Sequence, residues 1–309
     1  VLKILKPGNL TTIQDRGRFG FQRYGLGPGG AMDLKAYWIA NKLCGNNGRE
    51  AVLEFNSGIT VRFLKSTVFA LTGGKYRAFL NGIPIHFWQS YFVPAGSILE
   101  IYGPYAGNWG YLAVKGGFLI PEILGGRATN ILAGFGGYRG RALRKDDAIP
   151  VADYDGSFKK RYFLPEGRFA LYEGNVIFFI KGPEWEYLDP NSIDMLLSQP
   201  FTLNPAFNRM GYRFTGPTLT LLEEKEIISA PVPLGGMQVP KSGELIILMA
   251  DRQTTGGYPL IGIVAGESLA RLAQKTPKEK TFFKSISLEE AEEKLYNLNK
   301  VIDESFWEV

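Results

Sequence analysis

One cysteine and one histidine, Cys44 and His86, are all that the 309 residues supply. That scarcity excludes a disulfide within the chain and a Cys/His zinc cluster, so no metal ligands are expected. Charge of a single sign is lacking too. The 35 Lys+Arg against 30 Asp+Glu leave a formal net charge of +5, too small and too evenly spread to mark a nucleic-acid partner. Apolar runs such as Val176–Ile180 and Leu245–Ala250 fall far short of the ~20 residues that cross a bilayer, and no basic-then-apolar leader opens the chain. The sequence therefore reads as a soluble, cytoplasmic protein with no membrane partner. Its 45% hydrophobic content is enough for a substantial core, and its length suggests about two domains.

What is abundant is glycine and proline, 38 and 18 residues, scattered among β-branched and aromatic residues with no low-complexity tract. This is the signature of many short strands joined by tight turns. Strands are predicted at Ile59–Leu64, Thr67–Leu71, Tyr76–Leu80, Ile98–Tyr102, Trp109–Val114, Arg168–Leu171, Val176–Ile180, Leu219–Leu222, Ile227–Ser229, Leu245–Met249 and Thr281–Ser285. Helices are few. One is predicted over Asp33–Cys44, capped by Asp33 and stopped by Gly45. A second follows the capping box Ser287-Leu-Glu-Glu290, and a short third spans Glu267–Gln274.

An imperfect internal echo runs through the chain. Arg18-Phe-Gly-Phe21 matches Arg209-Met-Gly-Tyr212, and Gly29-Gly-Ala-Met32 matches Gly235-Gly-Met237. Repeated halves suggest two similar domains sharing a cleft, with a polar linker near Asp153–Lys160. The expected architecture is all-β with a few short helices: two β-barrel domains, residues 1–155 and 156–309, the second ending in a helix.

Two clusters could carry chemistry. The first is Thr11-Thr-Ile-Gln-Asp-Arg-Gly-Arg18, followed by Gly20, Gly25, Gly27 and Gly29-Gly-Ala-Met-Asp33. Asp15, Arg18 and Asp33 could orient a polar substrate there, or the glycines could simply make turns around a local Asp15–Arg18 pair. The second is Ala250-Asp-Arg-Gln-Thr-Thr-Gly-Gly-Tyr-Pro259, directly after an apolar strand. It places Asp251, Arg252, Gln253, Thr254, Thr255, Gly256, Gly257 and Tyr258 at a strand end, where buried polar groups demand partners or a ligand. Arg209, Tyr212 and Arg213 add two guanidiniums able to clamp an anion, or to pair with an acid such as Asp251. Gln238 offers an amide. His86 is read as packing in or beside a strand, Cys44 as inert core, and Glu289–Glu293 and Lys275–Lys280 as solvated faces. No Walker A, serine elbow or His-Glu-x-x-His motif appears.

These segments, with Tyr111-Leu-Ala-Val-Lys-Gly-Gly117, Asn208-Arg-Met-Gly-Tyr-Arg213 and Gln238-Val-Pro240, stand in the order of a known family. The chain resembles the second subunit of the allophanate hydrolase/5-oxoprolinase type, related to part of the carboxyltransferase region of urea carboxylase. The resemblance implies cyclophilin-like barrels and a hetero-oligomer with a cyclophilin-like first subunit and a lactam-opening third subunit. It implies ATP-dependent opening of 5-oxo-L-proline to glutamate, with ATP bound by this chain or its partner. Asp15, Asp251 and Arg252 would then be catalytic, and Arg18, Asp33, Arg209, Tyr212, Arg213, Gln238 and residues 253–258 substrate-binding. Two other readings follow from the same resemblance: a carboxyltransferase component acting on urea or a related amide with biotin on a separate carrier, and a non-catalytic regulator that binds a sporulation-kinase inhibitor. One departure matters. Where relatives commonly read Gly-Ser-Arg-Ser-Thr, this chain has Gly125-Gly-Arg-Ala-Thr129, so Gly126 and Ala128 remove two hydroxyls beside Arg127.

Overall fold

The computed structural model describes residues 1–154, 156, 162–164, 172–222 and 227–304, and the backbone of 307–308. It is mostly β with four helices among the described residues, as the composition indicates. Contacts divide the chain into two compact units. One holds Val1–Phe19, Gly29–Arg168 and Ser305–Val309; the other holds Gly20–Pro28 and Phe169–Glu304. Against consecutive halves 1–155 and 156–309, the glycine-rich loop Gly20–Pro28 falls in the second unit, and residues 156–168 and Ser305–Val309 fall in the first.

The first unit is built on β1 (Leu2–Lys6), β2 (Thr11–Gln14), β3 (Val52–Phe55), β4 (Thr60–Phe63), β5 (Thr67–Leu80), β6 (Ile83–Ile85), β7 (Ser90–Val93), β8 (Ile98–Val114) and β9 (Ala148–Ile149). They form one nine-stranded sheet in the order β2-β3-β8-β4-β1-β9, with β5 also paired to β8 and carrying β6 and β7, and the sheet curls into a half-barrel. Leu2 and Ile4 of β1 point into the core while Lys3 faces outward to Asp146, the period-2 alternation of a half-buried strand. Ile13, Leu53, Phe55, Phe63, Phe69 and Leu112 belong to its buried core.

The four short strands expected over 67–80 and 98–114 fuse into the two long strands β5 and β8, paired from Phe69 with Val114 to Leu80 with Leu99. Their glycines do not end the strands, because register shifts around Gly73–Lys75 and Lys75–Arg77 absorb the irregularity as bulges. Gly73 is required there: its φ is +104°, and a Cβ would stand 2.1 Å from the Trp109 carbonyl oxygen. Helix α1 (Leu34–Leu43) packs on this sheet. Asp33 caps it, its carboxylate accepting from the amides of Lys35 and Ala36, and Gly45 leaves it in the left-handed region.

Strands β10 (Tyr162–Phe163) and β20 (Trp307–Glu308) form a separate pair. The second unit contains β11 (Val176–Lys181), α2 (Pro190–Ser198), β12 (Phe201–Leu203), β13 (Gly211–Thr215), β14 (Ala230–Pro231), β15 (Gly236–Gln238), β16 (Leu245–Leu248), β17 (Thr255–Gly256), β18 (Leu260–Val264), α3 (Leu269–Ala273), β19 (Lys280–Ser285) and α4 (Leu288–Asp303). Seven of these strands close into a barrel, β11-β18-β15-β16-β13-β12-β19, and the parallel β11–β19 pair completes the ring. Phe179, Phe201, Tyr212, Met237, Ile247 and Phe283 are buried in it. The capping box at α4 forms in full.

Three expectations need correction. Leu219–Leu222 is not a strand and contributes one isolated bridge, Leu221 to Leu188. Ile227–Ser229 is irregular, and pairing begins only at β14, against β17. Lys275 is not on a solvated face. It is 2% exposed, with Nζ donating to the Gly174 carbonyl at 3.0 Å and to Asn175 Oδ1 at 3.3 Å. Burial lowers its pKa, and Glu279 acts in the opposite direction. The strand expected at Arg168–Leu171 lies outside the described residues. His86 is exposed just beyond β6, and Cys44 is fully buried, which pushes its thiol pKa up.

Candidate functional site

Strand β16 is buried along its whole length, and its end is where the second polar cluster starts. Met249 and Asp251 donate their amides to the carbonyls of Met210 and Arg209, so the chain leaves the barrel alongside β13's entry. Arg209 then takes the Asp251 carboxylate with both prongs, Nε to Oδ2 at 2.7 Å and Nη2 to Oδ1 at 2.9 Å. Arg209 is 6% exposed and Asp251 20%. The pair neutralises itself in fork-to-fork geometry.

Arg252 is placed differently. It is 8% exposed and spends its donors on carbonyls, Nε on Val232 at 3.2 Å and Nη1 on Met249 at 3.4 Å. Among the described residues it has no carboxylate partner. Burial lowers its pKa, yet an arginine stays protonated in proteins, so a positive charge sits here uncompensated. Such a charge costs several kcal/mol to bury, of order 3, unless an anion or a polarised oxygen meets it.

The surroundings of Arg252 are built from glycine contacts and amides. A Cβ on Gly27 would stand 2.7 Å from the Arg252 carbonyl oxygen, so the glycine-rich Gly20–Pro28 loop lies directly on this turn. A Cβ on Gly256 would stand 2.9 Å from Gln238 Nε2, 3.2 Å from Val232 and 3.5 Å from Gln253 Nε2. The bare Gly256 thus lets two side-chain amides and the residue that receives Arg252 converge. Gln238 is buried and donates to the Tyr258 carbonyl at 3.3 Å. The Thr254 carbonyl accepts from Val232, while the side chains of Thr255 and Tyr258 are exposed, as is Gly257. A buried cation with amide donors nearby can hold a carboxylate, a phosphoryl oxygen or a developing oxyanion. Both oxygens of Asp251 are already held by Arg209.

Other expected site residues make contacts of their own. Tyr212 points into the barrel and donates its hydroxyl to the Ala273 carbonyl, whereas Arg213, the next residue on β13, faces out and pairs with Glu244 at 3.0 Å. In the first unit Asp15 and Arg18 are buried, and each bonds to backbone groups. Asp15 accepts from the amides of Gly17 (2.7 Å) and Arg127 (2.5 Å), and Arg18 donates to the carbonyls of Ala128 (2.6 Å) and Ile123 (3.3 Å). Asp33 caps α1. All three hold backbone in these contacts.

Sequence reasoning missed Glu54 and Val232. Glu54 is 1% exposed in β3, and its Oε2 accepts from the Met32 amide at 2.7 Å and the Tyr111 hydroxyl at 2.8 Å, tying the Gly29–Asp33 turn to the sheet. An acid inside the apolar run Val52-Leu-Glu-Phe55 was the available signal. Val232 acts through a backbone carbonyl, which leaves no trace in a side-chain pattern.

Residues 24–285 match the family described as "Carboxyltransferase domain, subdomain A and B". The chain belongs to this carboxyltransferase-domain family. It is 36% identical to the C-type subunit of 5-oxoprolinase from Escherichia coli (strain K12) over 99% of this chain and 98% of that protein, and 37% identical to the Haemophilus influenzae protein of the same name over 94% and 93%. It is 27% identical to urea amidolyase of Saccharomyces cerevisiae across 93% of this chain but only 17% of that much longer protein. The crystal structure of the Kluyveromyces lactis urea amidolyase superposes with a TM-score of 0.88 at 26% identity, over 98% of this chain and 20% of that one. In this carboxyltransferase-family chain no helix is long and apolar enough to cross a membrane, among the described residues.

Proposed function

We propose that this chain is the C-type component of an ATP-dependent 5-oxoprolinase in the cytoplasm, acting with a cyclophilin-like partner and a lactam-opening subunit to convert 5-oxo-L-proline to L-glutamate. What carries the reading is end-to-end similarity: 36% and 37% identity to two proteins named as this component of 5-oxoprolinase, covering almost the full length of each. The Arg252 turn supports it. A lactam is a poor electrophile until its carbonyl oxygen gains negative charge or a phosphoryl group, and a buried guanidinium meets either. In this reading Arg252 touches the substrate, Gln238 and Gln253 align it, and Arg209–Asp251 positions the turn. Asp15, Arg18 and Asp33 hold the first unit's loops in place. Arg252 fits a phosphoryl oxygen as well as a carboxylate by charge, and the chain has no phosphate-binding loop motif, so ATP is assigned to the complex as a whole.

A second reading is favoured by the family match and by the 0.88 TM-score to the amidolyase structure: a carboxyltransferase component that receives a carboxyl group from biotin on a separate carrier. One experiment separates them. The chain is mixed with its partner subunits, ATP and either 5-oxo-L-proline or urea, with and without avidin. Glutamate formation that needs every component and ignores avidin supports the first reading; avidin-sensitive turnover of urea or a related amide, with no glutamate from 5-oxo-L-proline, overturns it.

A further inference from the structure

The first unit contains a cavity of about 560 Å³ that uses no residue of the Arg252 turn. Arg49, Glu50, Phe118, Ile120, Glu122 and Arg127 are on its wall. The volume is that of a small-molecule site. Its charged groups are unequally committed. Glu50 spends both oxygens on its own turn, Oε1 accepting from the Asn47 amide at 3.1 Å and Oε2 from the Arg49 amide at 3.0 Å. Arg127 is pinned from three sides. Its amide donates to Asp15, its Nε to the Ile120 carbonyl at 3.0 Å, and its Nη1 meets Glu122 Oε1 at 2.9 Å. Arg49 is exposed, and its guanidinium makes no hydrogen bond or ion pair among the described residues. Both carboxylates are thus occupied, and one of the two guanidiniums is not.

From this arrangement we infer that the cavity binds a small monocarboxylate, anchored by Arg49, with the ligand's apolar body against Leu119 and Pro121, the exposed apolar side chains of the same wall. A guanidinium takes a carboxylate through two parallel hydrogen bonds, and Leu119 and Pro121 shield part of the ligand's body from water. A phosphate dianion suits the site less, because Glu50 and Glu122 on the same wall repel a second negative charge. Gly126 and Ala128 flank Arg127 without hydroxyls, so the anion's contacts must come from guanidinium and backbone.

The test is calorimetric titration of the full chain with sodium benzoate, with benzamide and inorganic phosphate in parallel. Expected is saturable benzoate binding that weakens about tenfold or more in Arg49→Gln and is partly restored in Arg49→Lys. Benzamide and phosphate should both bind more weakly than benzoate. Absence of saturable benzoate binding, binding that survives Arg49→Gln, or phosphate binding as tight as benzoate would each overturn the inference. Arg49 is exposed, so its variants should unfold at the temperature of the parent chain, and that is checked alongside. The outcome is independent of the proposed 5-oxoprolinase role, which the avidin experiment tests.

Discussion

Arg209 holds the carboxylate of Asp251 with two hydrogen bonds of 2.7 and 2.9 Å, and Arg252, one residue further along, has no share in it. Adjacent residues on one turn therefore play opposite parts. The first pair is satisfied within the protein and stabilises the exit from the barrel; the second guanidinium is left positive and, among the described residues, is partnered by carbonyls alone. The consequence is a separation of stability from function that mutagenesis can read.

Breaking the Arg209–Asp251 pair from one side should destabilise the fold. Arg209→Met or Asp251→Leu leaves the other charge buried and is expected to cost about 3 kcal/mol in urea unfolding. The double variant should recover a large part of that loss, because neither charge is then stranded. A double variant that loses the sum of the two single losses would mean the pair contributes nothing as a pair.

Gly27→Ala tests the close approach of the glycine-rich loop to the Arg252 turn. The new Cβ meets a backbone oxygen at 2.7 Å, which cannot rotate away, so a loss of about 1–3 kcal/mol is expected. Gly27 does not occupy the left-handed region, so strain in φ does not confuse the result. An alanine variant as stable as the parent would contradict the packing.

Much of the fold was legible where the determinants are local. Asp33 before α1 and Ser287 with Glu290 before α4 announce their helices because the capping atoms lie within three residues of each other. Strands β1 to β3 were missed, since runs of four or five residues become strands only through partners far along the chain. The helix α2 also went unread, although Asp189 followed by Pro190 is an N-terminal signature. At the site, period-2 alternation puts Tyr212 and Phe214 inward and Arg213 outward, a constraint the motif reading overlooked. Which acid Arg209 would choose could not be read at all, because Asp251 lies 42 positions away and only the β13–β16 pairing brings it near.

Acid should weaken the first unit through Asp147. Arg141 holds this carboxylate with two bonds of 2.8 Å, and the Arg144 amide adds a third, keeping its pKa below the ordinary range against the opposing effect of burial. A folded pKa below the unfolded value of about 3.9 contributes stability above that value and loses it as pH falls through the folded pKa. Asp147→Asn should therefore be less stable than the parent at pH 7, and the gap should narrow below about pH 4 in pH-dependent denaturation. A gap that stays constant to pH 2 would show that the ion pair is not the source.

Cys44 should resist alkylation in the native protein. It is fully buried at the end of α1, and burial raises its pKa far above the thiol range. Iodoacetamide at pH 8 should label it only after denaturant is added, and rapid native labelling would contradict that placement.

The most direct test of the central claim compares Arg252→Gln with the parent chain in the reconstituted complex, measuring glutamate formed from 5-oxo-L-proline with ATP and, on the same samples, the unfolding temperature. The account predicts a fall in kcat/KM of about 100-fold or more with unfolding unchanged or raised, because the variant removes a buried charge kept for a ligand. Full turnover by Arg252→Gln, with the fold intact, would contradict it.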